Sequence, residues 1–322
     1  MRRIATSDIG GTHARFAIAE LDGSRVTSVG APTTLKTSQH ASFQTAWEEF
    51  ARAHNGSLPH ELAMAFAGPV GGEVLKLTNN PWVIRPALMS ERLGVERFTV
   101  VNDFGAVAHA VASLDSDAFT HVCGPEVPLP EEGMISVIGP GTGLGVAALL
   151  RHGKDYEVIE TEGGHVDFAP LDSLEDRILL ELRNSFRRVS VERLVSGRGL
   201  MNIYEALGII EARPLQIRDE WELWSAALEG SDSLASAALD RFCLTLGAFA
   251  GDVALAQGAK AVVIGGGLGL RLADYLVRSG FRDRFIAKGR FERRMDEMPV
   301  KVITYPQPGL FGAAAAFARE HQ

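Results

Sequence analysis

Gly11-Thr12-His13-Ala14-Arg15-Phe16-Ala17 and Gly141-Thr142-Gly143-Leu144-Gly145-Val146-Ala147 carry one pattern at two places in a chain of 322 residues. Each is a Gly-Thr turn leading from one apolar run into another. Arg3 to Ile9 precedes the first turn and Ala14 to Leu21 follows it, with Phe16 and Ile18 separated by small residues as a strand requires. Met134 to Ile138 and Gly145 to Leu150 flank the second. A glycine turn between two such runs predicts a β-hairpin. Gly-Thr turns are common, but paired with the chemistry of the motifs below the repeat suggests two similarly built domains facing a shared cleft.

Outward from these turns, strands and helices alternate. Ala41 to Ala53 has helical spacing at Phe43, Ala46, Trp47 and Phe50. Glu61 to Ala67 reads as a buried strand stopped by Gly68-Pro69. Phe98 to Val101 reads as another, closing on Asn102-Asp103 before a helix over Gly105 to Leu114. That alternation predicts an α/β layer structure. Gly124 to Gly133, with three prolines and three glutamates, is the expected exposed connector. Helices are expected over Leu174 to Asn184, Asp219 to Glu229 and Ser233 to Gln257. The last is apolar at Leu239, Phe242, Leu246, Phe249 and Val253, which suits a core helix or, alternatively, an oligomer face. Ala261 to Ile264 is a buried strand running into Gly265-Gly266-Gly267, followed by a helix pattern at Leu270 to Val277. Gly309 to Arg319 is an alanine-rich final helix.

Composition narrows the function. Hydrophobic residues make up 46% and mean hydropathy is +0.05, as in a soluble globular chain. Thirty-two Lys and Arg against 40 Asp and Glu leave a net charge of −8, a field that repels a phosphate backbone, so no nucleic-acid partner is expected. Cys123 and Cys243 cannot form a disulfide framework or a four-cysteine zinc site, and a reducing cytoplasm fits them. Met1 to Ser7 leaves no room for a signal peptide ahead of Asp8. The uncharged run Gly133 to Leu150 holds five glycines and Pro140, which is turn chemistry and not a membrane span.

Three glycine turns could hold anionic oxygens. Asp8-Ile9-Gly10-Gly11-Thr12 puts a carboxylate at a strand end before a turn stripped of side chains, where N–H groups can approach a polyphosphate and Asp8 could face Mg²⁺ directly or through water. An ordinary hairpin with an Asp cap is the plain alternative. Gly139-Pro140-Gly141-Thr142-Gly143-Leu144-Gly145 and Gly265-Gly266-Gly267-Leu268-Gly269 are the other two. Neither G-x-x-x-x-G-K-[ST] nor G-x-G-x-x-G occurs. Asp103 sits where a strand gives way to a helix, either as an N-cap or as a carboxylate facing a crevice and able to accept a hydroxyl proton. Glu162-Gly163-Gly164-His165-Val166-Asp167 lets an acid and an imidazole turn toward one small polar ligand. It offers too few ligands for a metal. Glu192 by itself reads as a solvated glutamate paired with a neighbouring Arg.

Together, Asp8-Ile9-Gly10-Gly11-Thr12, Leu77-Thr78-Asn79, Asn102-Asp103-Phe104, Gly141-Thr142-Gly143-Leu144-Gly145, Glu162-Gly163-Gly164-His165-Val166-Asp167-Phe168, Val191-Glu192-Arg193, Ser196-Gly197 and Pro308-Gly309-Leu310 resemble the bacterial glucokinase family in order and spacing. The resemblance implies an actin-like ATPase (ribonuclease H-like) fold, with glucose and ATP bound in a cleft between two α/β domains. The expected division is residues 1–113 plus 305–322 against 114–304. It implies ATP-dependent phosphorylation of glucose at its 6-hydroxyl, with Asp103 as base and Asn102, Glu162, His165 and Glu192 bonding other hydroxyls. Ser7, Asp8, Ile9, Gly10, Gly11 and Thr12, then Gly141, Thr142 and Gly143, would hold the phosphates, and Gly265, Gly266 and Gly267 the adenosine side. MgATP is the cosubstrate; no zinc, no membrane and a cytoplasmic homodimer are further expectations.

The chain departs from the family pattern at three places. His13 stands where Asn is common, Ser7 where Gly or Ala is common, and Asn80 where His often precedes the Trp. These lie near the phosphate and sugar loops, so they bear on affinity and sugar preference. The related ROK kinases typically add a cysteine-rich zinc site, which two distant cysteines exclude here. A kinase of another hexose is the nearest rival. A DNA-binding regulator would need an added basic helix-turn-helix, for which the chain before Asp8 leaves no room, and an inactive relative would be expected to lack Asp103 or a phosphate loop.

Overall fold

In the computed structural model, which describes residues 1–77 and 80–322, the first glycine turn closes a hairpin. (Thr78 and Asn79 of the Leu77-Thr78-Asn79 motif lie outside the described residues.) β1 (Arg2–Ile9) and β2 (His13–Asp22) pair antiparallel with Ile9 opposite Ala14, and the Gly10 N–H donates to the His13 carbonyl at 2.9 Å. β3 (Arg25–Val29) and β4 (Thr33–Lys36) both pair with β2. β5 (Glu61–Phe66) lies parallel to β1. β6 (Leu75–Lys76) and β7 (Val83–Ile84) form a separate small ribbon, and β8 (Arg97–Asn102) lies parallel to β5. The main path of the sheet is β3-β2-β1-β5-β8.

The second glycine turn repeats this arrangement. β9 (Phe119–Cys123) precedes the hairpin of β10 (Glu132–Pro140) and β11 (Leu144–His152), which continues into β12 (Asp155–Thr161). β13 (Ala261–Ile264) and β14 (Val300–Ile303) add parallel strands, in the order β12-β11-β10-β13-β14-β9. Apart from β4 and β9, each sheet places its third, second, first, fourth and fifth strands in that spatial order. The chain divides into two units. The first comprises Met1–Asp115, Val158–Glu160 and Tyr305–Gln322; the second comprises Ser116–Glu157 and Thr161–Thr304.

Two helical expectations need correction, and one helix was not expected. The helix expected from Gly105 runs over Asp103–Ser113, because the Asn102 side chain caps it and draws Asp103 into the first turn. Leu270 to Val277 is split into Gly266–Arg271 and Ala273–Arg278. A helix over Gly197–Ile210 was concealed by its glycine-rich start; the Ser196 hydroxyl caps it by accepting from Gly199 N–H at 3.1 Å.

Each unit has its own core. In the first, Phe16 stacks on Phe50 at 5.2 Å and packs on Phe43 and Trp47, while Trp82 meets Phe43 edge-on. In the second, the helix Ser233–Gln257 buries Leu239, Phe242, Leu246 and Phe249. By length and composition alone this helix could cross a bilayer, but 67% of its most apolar window is packed inside the protein. It is a core helix, as its spacing suggested.

The final helix, Pro308–Glu320, returns to the first unit, where it lies on β1 and β5 and against Asp103–Ser113. The two helices approach so closely at Gly312 that a Cβ there would overlap the Ala106 carbonyl. Gly312→Ala is therefore expected to lose about 3 kcal/mol of stability, the upper end for overpacking, since backbone and not a flexible side chain must give way. Urea denaturation checks this; an unchanged midpoint would show that the helices can separate freely.

Candidate functional site

In the first unit, Asp103 is the first helical residue at the carboxyl end of β8. Asn102 Oδ1 accepts the N–H groups of Phe104 and Gly105 at 2.9 and 3.1 Å, while Asp103 Oδ1 accepts from Phe104 N–H at 2.9 Å. Asn102 is thus the cap, not Asp103. Its Nδ2 donates to the Gly68 carbonyl at 3.2 Å. With both oxygen lone pairs used, Asn102 has one amide hydrogen left to offer a ligand. Its principal work is to orient the turn that carries Asp103, which is half-buried at a helix start where a negative charge is favoured.

Asp8 is the last but one residue of β1, beside the first glycine turn. Its carboxylate lies 3.6 Å from the Arg15 guanidinium and faces Gly309, where a Cβ would come within 3.0 Å of Oδ2. Desolvation raises the Asp8 carboxyl above its ordinary range, and Arg15 opposes that shift. A carboxylate in this condition gains strongly from a nearby cation, so its chemistry fits the Mg²⁺ of a nucleotide substrate. Ser7 and Ile9 are different. Both are fully buried, the Ser7 hydroxyl donating to the Ala63 carbonyl at 3.4 Å and Ile9 lying in the aromatic core. Neither side chain can reach a nucleotide, because strand alternation turns both to the face of β1 opposite the one on which Asp8 meets Gly309.

In the second unit, the middle turn is tighter than the motif suggested. β10 runs through Pro140 and β11 starts at Leu144, leaving only Gly141, Thr142 and Gly143 as the turn. Gly141 N–H donates to Gly143 O at 2.8 Å, and Gly197 N–H donates to Gly141 O at 2.8 Å. The Glu192 carboxylate accepts the Leu144 N–H at 2.9 Å and covers Gly143. Glu192 is therefore not paired with Arg193, whose guanidinium lies over the Phe186 ring. It braces the second glycine turn with one oxygen.

Gly265 N–H continues the ladder to the Ile138 carbonyl at 2.7 Å. Gly266, with φ +75°, sits so close to Pro140 that a Cβ would lie 2.5 Å from its carbonyl oxygen. Only glycine fits there, and it brings the third turn beside the second. Gly267 and Gly141 instead face open space. Glu162 and His165 flank a short 3-10 turn over Gly163–His165, with Glu162 Oε2 3.9 Å from His165 Nε2, so acid and imidazole point to one side as the two glycines allowed. Asp167 instead pairs with Arg188 at 2.5 Å.

Three residues beside these loops escaped sequence reasoning as contributors. Glu160 Oε1 accepts the Asn102 N–H at 2.8 Å and occupies the space over Gly105. Burial raises its carboxyl and the Asn102 bond opposes the rise. The available signal was Gly105, a missing side chain in the first turn of a helix. Thr37 and Asn80 both donate to the Gly11 carbonyl, at 2.7 and 3.0 Å. Asn80 was visible only as a departure from pattern. Among the described residues no group of three His, Cys, Asp or Glu side chains could hold a metal ion. Burial pushes both thiols up to about 12, so neither is a nucleophile near neutrality.

Comparison with known proteins identifies the family. The glucokinase family model matches residues 5–320. The glucokinase of Zymomonas mobilis is 63% identical over 318 residues, covering 99% of this chain and 98% of the relative. A solved glucokinase from an Antarctic psychrotroph is 32% identical, with a TM-score of 0.85 and 99% of each chain covered. A ROK family glucokinase from Streptomyces griseus, solved with glucose and AMPPNP, shares the fold at 19% identity and a TM-score of 0.66, over 99% of each chain. The two sheets are those of the actin-like ATPase fold, and the enzyme they build is a sugar kinase. With the match running along almost its whole length, this chain belongs to the glucokinase family.

Proposed function

We propose that the protein transfers the γ-phosphoryl group of ATP to the 6-hydroxyl of D-glucose, giving glucose 6-phosphate and ADP, with Asp103 accepting the hydroxyl proton. The observation that carries this reading is Asp103 itself: a carboxylate at a strand end, in the first turn of a helix, oriented by the Asn102 cap and the Glu160 brace. Phosphoryl transfer asks for alignment and charge neutralisation more than for covalent chemistry. Mg²⁺ enters as part of the nucleotide substrate and supplies charge neutralisation at the β- and γ-phosphates. Asp8 is the residue suited to face it. The N–H groups of the first two glycine turns, other than those of Gly10 and Gly141 that bond His13 O and Gly143 O, would bind the phosphate oxygens, and Gly267 leaves open space on the adenosine side. Glu162, His165, Glu192 and the remaining Asn102 hydrogen would bond the other hydroxyls, where a wrong epimer leaves a polar group unpaired.

A cytoplasmic homodimer belongs to the same reading. Two buried, unbridged thiols support the compartment, and Trp221, 73% exposed on a helix of the second unit, supports a self-contact. The experiment that tests the activity is ADP release measured against a hexose panel that includes 6-deoxyglucose. Glucose is expected to turn over fastest and the 6-deoxy sugar not at all.

Asp103→Asn is expected to fold, to keep its glucose affinity by calorimetry, and to lose about 10²- to 10⁴-fold in kcat, the usual worth of a general base. A variant retaining a third of its turnover would remove Asp103 from that role.

Asp8→Asn carries a different signature. An acid whose folded pKa is raised destabilises the fold once it ionises, so the cost is absent below its unfolded pKa and fully present above the folded one. The variant is expected to melt above the parent at pH 7 and to lose that advantage as pH falls toward 4, while its kinase activity drops. A melting temperature below the parent's at pH 7 would mean that Arg15 outweighs desolvation.

A further inference from the structure

We propose that Asn80 and Thr37 are positioning residues that aim the Gly11–Thr12 peptide at the phosphates of the nucleotide. The proposal rests on reading Gly10 to Thr12 as a phosphate loop, and it assigns a role to one of the positions at which the chain departs from the family pattern.

Gly11 O accepts two hydrogen bonds from distant segments, one from Thr37 Oγ1 at 2.7 Å and one from Asn80 Nδ2 at 3.0 Å. Thr12 O accepts a third, from the Thr37 N–H at 3.0 Å. No peptide in the described chain is cis. In a trans peptide the carbonyl and the N–H point in opposite directions, so pinning Gly11 O fixes where Thr12 N–H points. That direction is away from Asn80 and Thr37, and Thr12 itself is exposed.

A Gly-Gly-Thr turn has little steric reason to keep one peptide orientation, since glycine populates both signs of φ. A flip of this peptide would replace a donor N–H by a carbonyl oxygen and turn attraction for phosphate into repulsion. Two donors on one carbonyl oppose that flip. Both are themselves anchored. Thr37 is 2% exposed, and Asn80 Oδ1 accepts the N–H of the buried Trp82 at 2.9 Å, whose indole N–H donates to His40 O at 2.9 Å. The loop's donor is thus oriented by the core of the first unit, before any nucleotide arrives.

Steady-state kinetics of the full-length enzyme test this with Thr37→Val, Asn80→Ala and the double variant. Thr37→Val removes the hydroxyl but keeps the side-chain shape and the backbone bond to Thr12. Each single change is expected to raise KM for MgATP about three- to tenfold, as loss of one hydrogen bond would, with KM for glucose unchanged. Because either donor can partly hold the carbonyl alone, the double variant is expected to exceed the product of the singles. Gly11→Val is measured alongside and is expected to raise KM for MgATP by blocking phosphate space. If Gly11→Val does so while the other variants match the parent, the positioning role is wrong. If Gly11→Val has no effect on MgATP, the phosphate-loop reading fails and takes the proposal with it. A rise in the glucose KM equal to that for MgATP would overturn the proposal in favour of a general effect on the fold. Should Asn80→Ala unfold through loss of the Trp82 bond, Thr37→Val decides alone.

Discussion

A backbone N–H can hold a phosphate oxygen only if no other acceptor claims it and its peptide cannot turn over. With the glycine turns proposed as phosphate loops, that constraint bears on what surrounds them. At the first, Thr37 and Asn80 restrain the Gly11 carbonyl from behind. At the second, Gly197 N–H restrains the Gly141 carbonyl, while Glu192 fixes the end of the turn by taking the Leu144 N–H, which is thereby removed as a phosphate donor. At the third, Gly266 abuts the Pro140 carbonyl so tightly that no side chain is admitted. In each case the residues touching the turn come from elsewhere in the chain, and the side facing open space is left to small residues such as Gly141 and Gly267.

The same economy applies to the carboxylates. Asp103, Asp8 and Glu160 belong to one unit, yet their surroundings differ. Asp103 lies in the first turn of a helix, where the aligned peptides favour its charge. Asp8 is raised by desolvation despite Arg15, a condition that a cation would relieve. Glu160 is raised by burial and opposed by its bond to Asn102 N–H. The charge of Asp8 is tolerated at some expense in stability, which is typical of a group kept for binding or catalysis. Gly312 is the counterpart in packing: by letting the final helix lie directly on Asp103–Ser113, it seats the helix that carries Asp103.

The sequence by itself determined the hairpins and the α/β alternation, because Gly-Gly-Thr and Gly-Thr-Gly between alternating apolar runs have little else to become. It also determined the core character of Ser233–Gln257, since an apolar residue every three or four positions must be covered. The resemblance in Glu162 to Phe168 and in Asn102-Asp103-Phe104 brought the reaction class with it. The short strands β9 and β14 and the helix Gly197–Ile210 were not legible, being too brief or too rich in glycine for periodicity to register.

What only the tertiary structure decided is which partner each polar group finds. Whether Asn102 or Asp103 caps the helix depends on where the backbone turns at the end of β8. Glu192 reads locally as an exposed ion-pair member, and its contact with Leu144 N–H spans 48 positions. The burial of Ser7 and Ile9 on one face of β1, and the placing of Asp8 against Gly309 on the other, depend on what packs on each face. Asn80 and Thr37 converge on Gly11 O from 69 and 26 positions away. Local pattern fixes the period of an element and the places where it stops. Hydrogen bonds between distant segments depend on how those elements pack, and no short stretch of sequence contains that information.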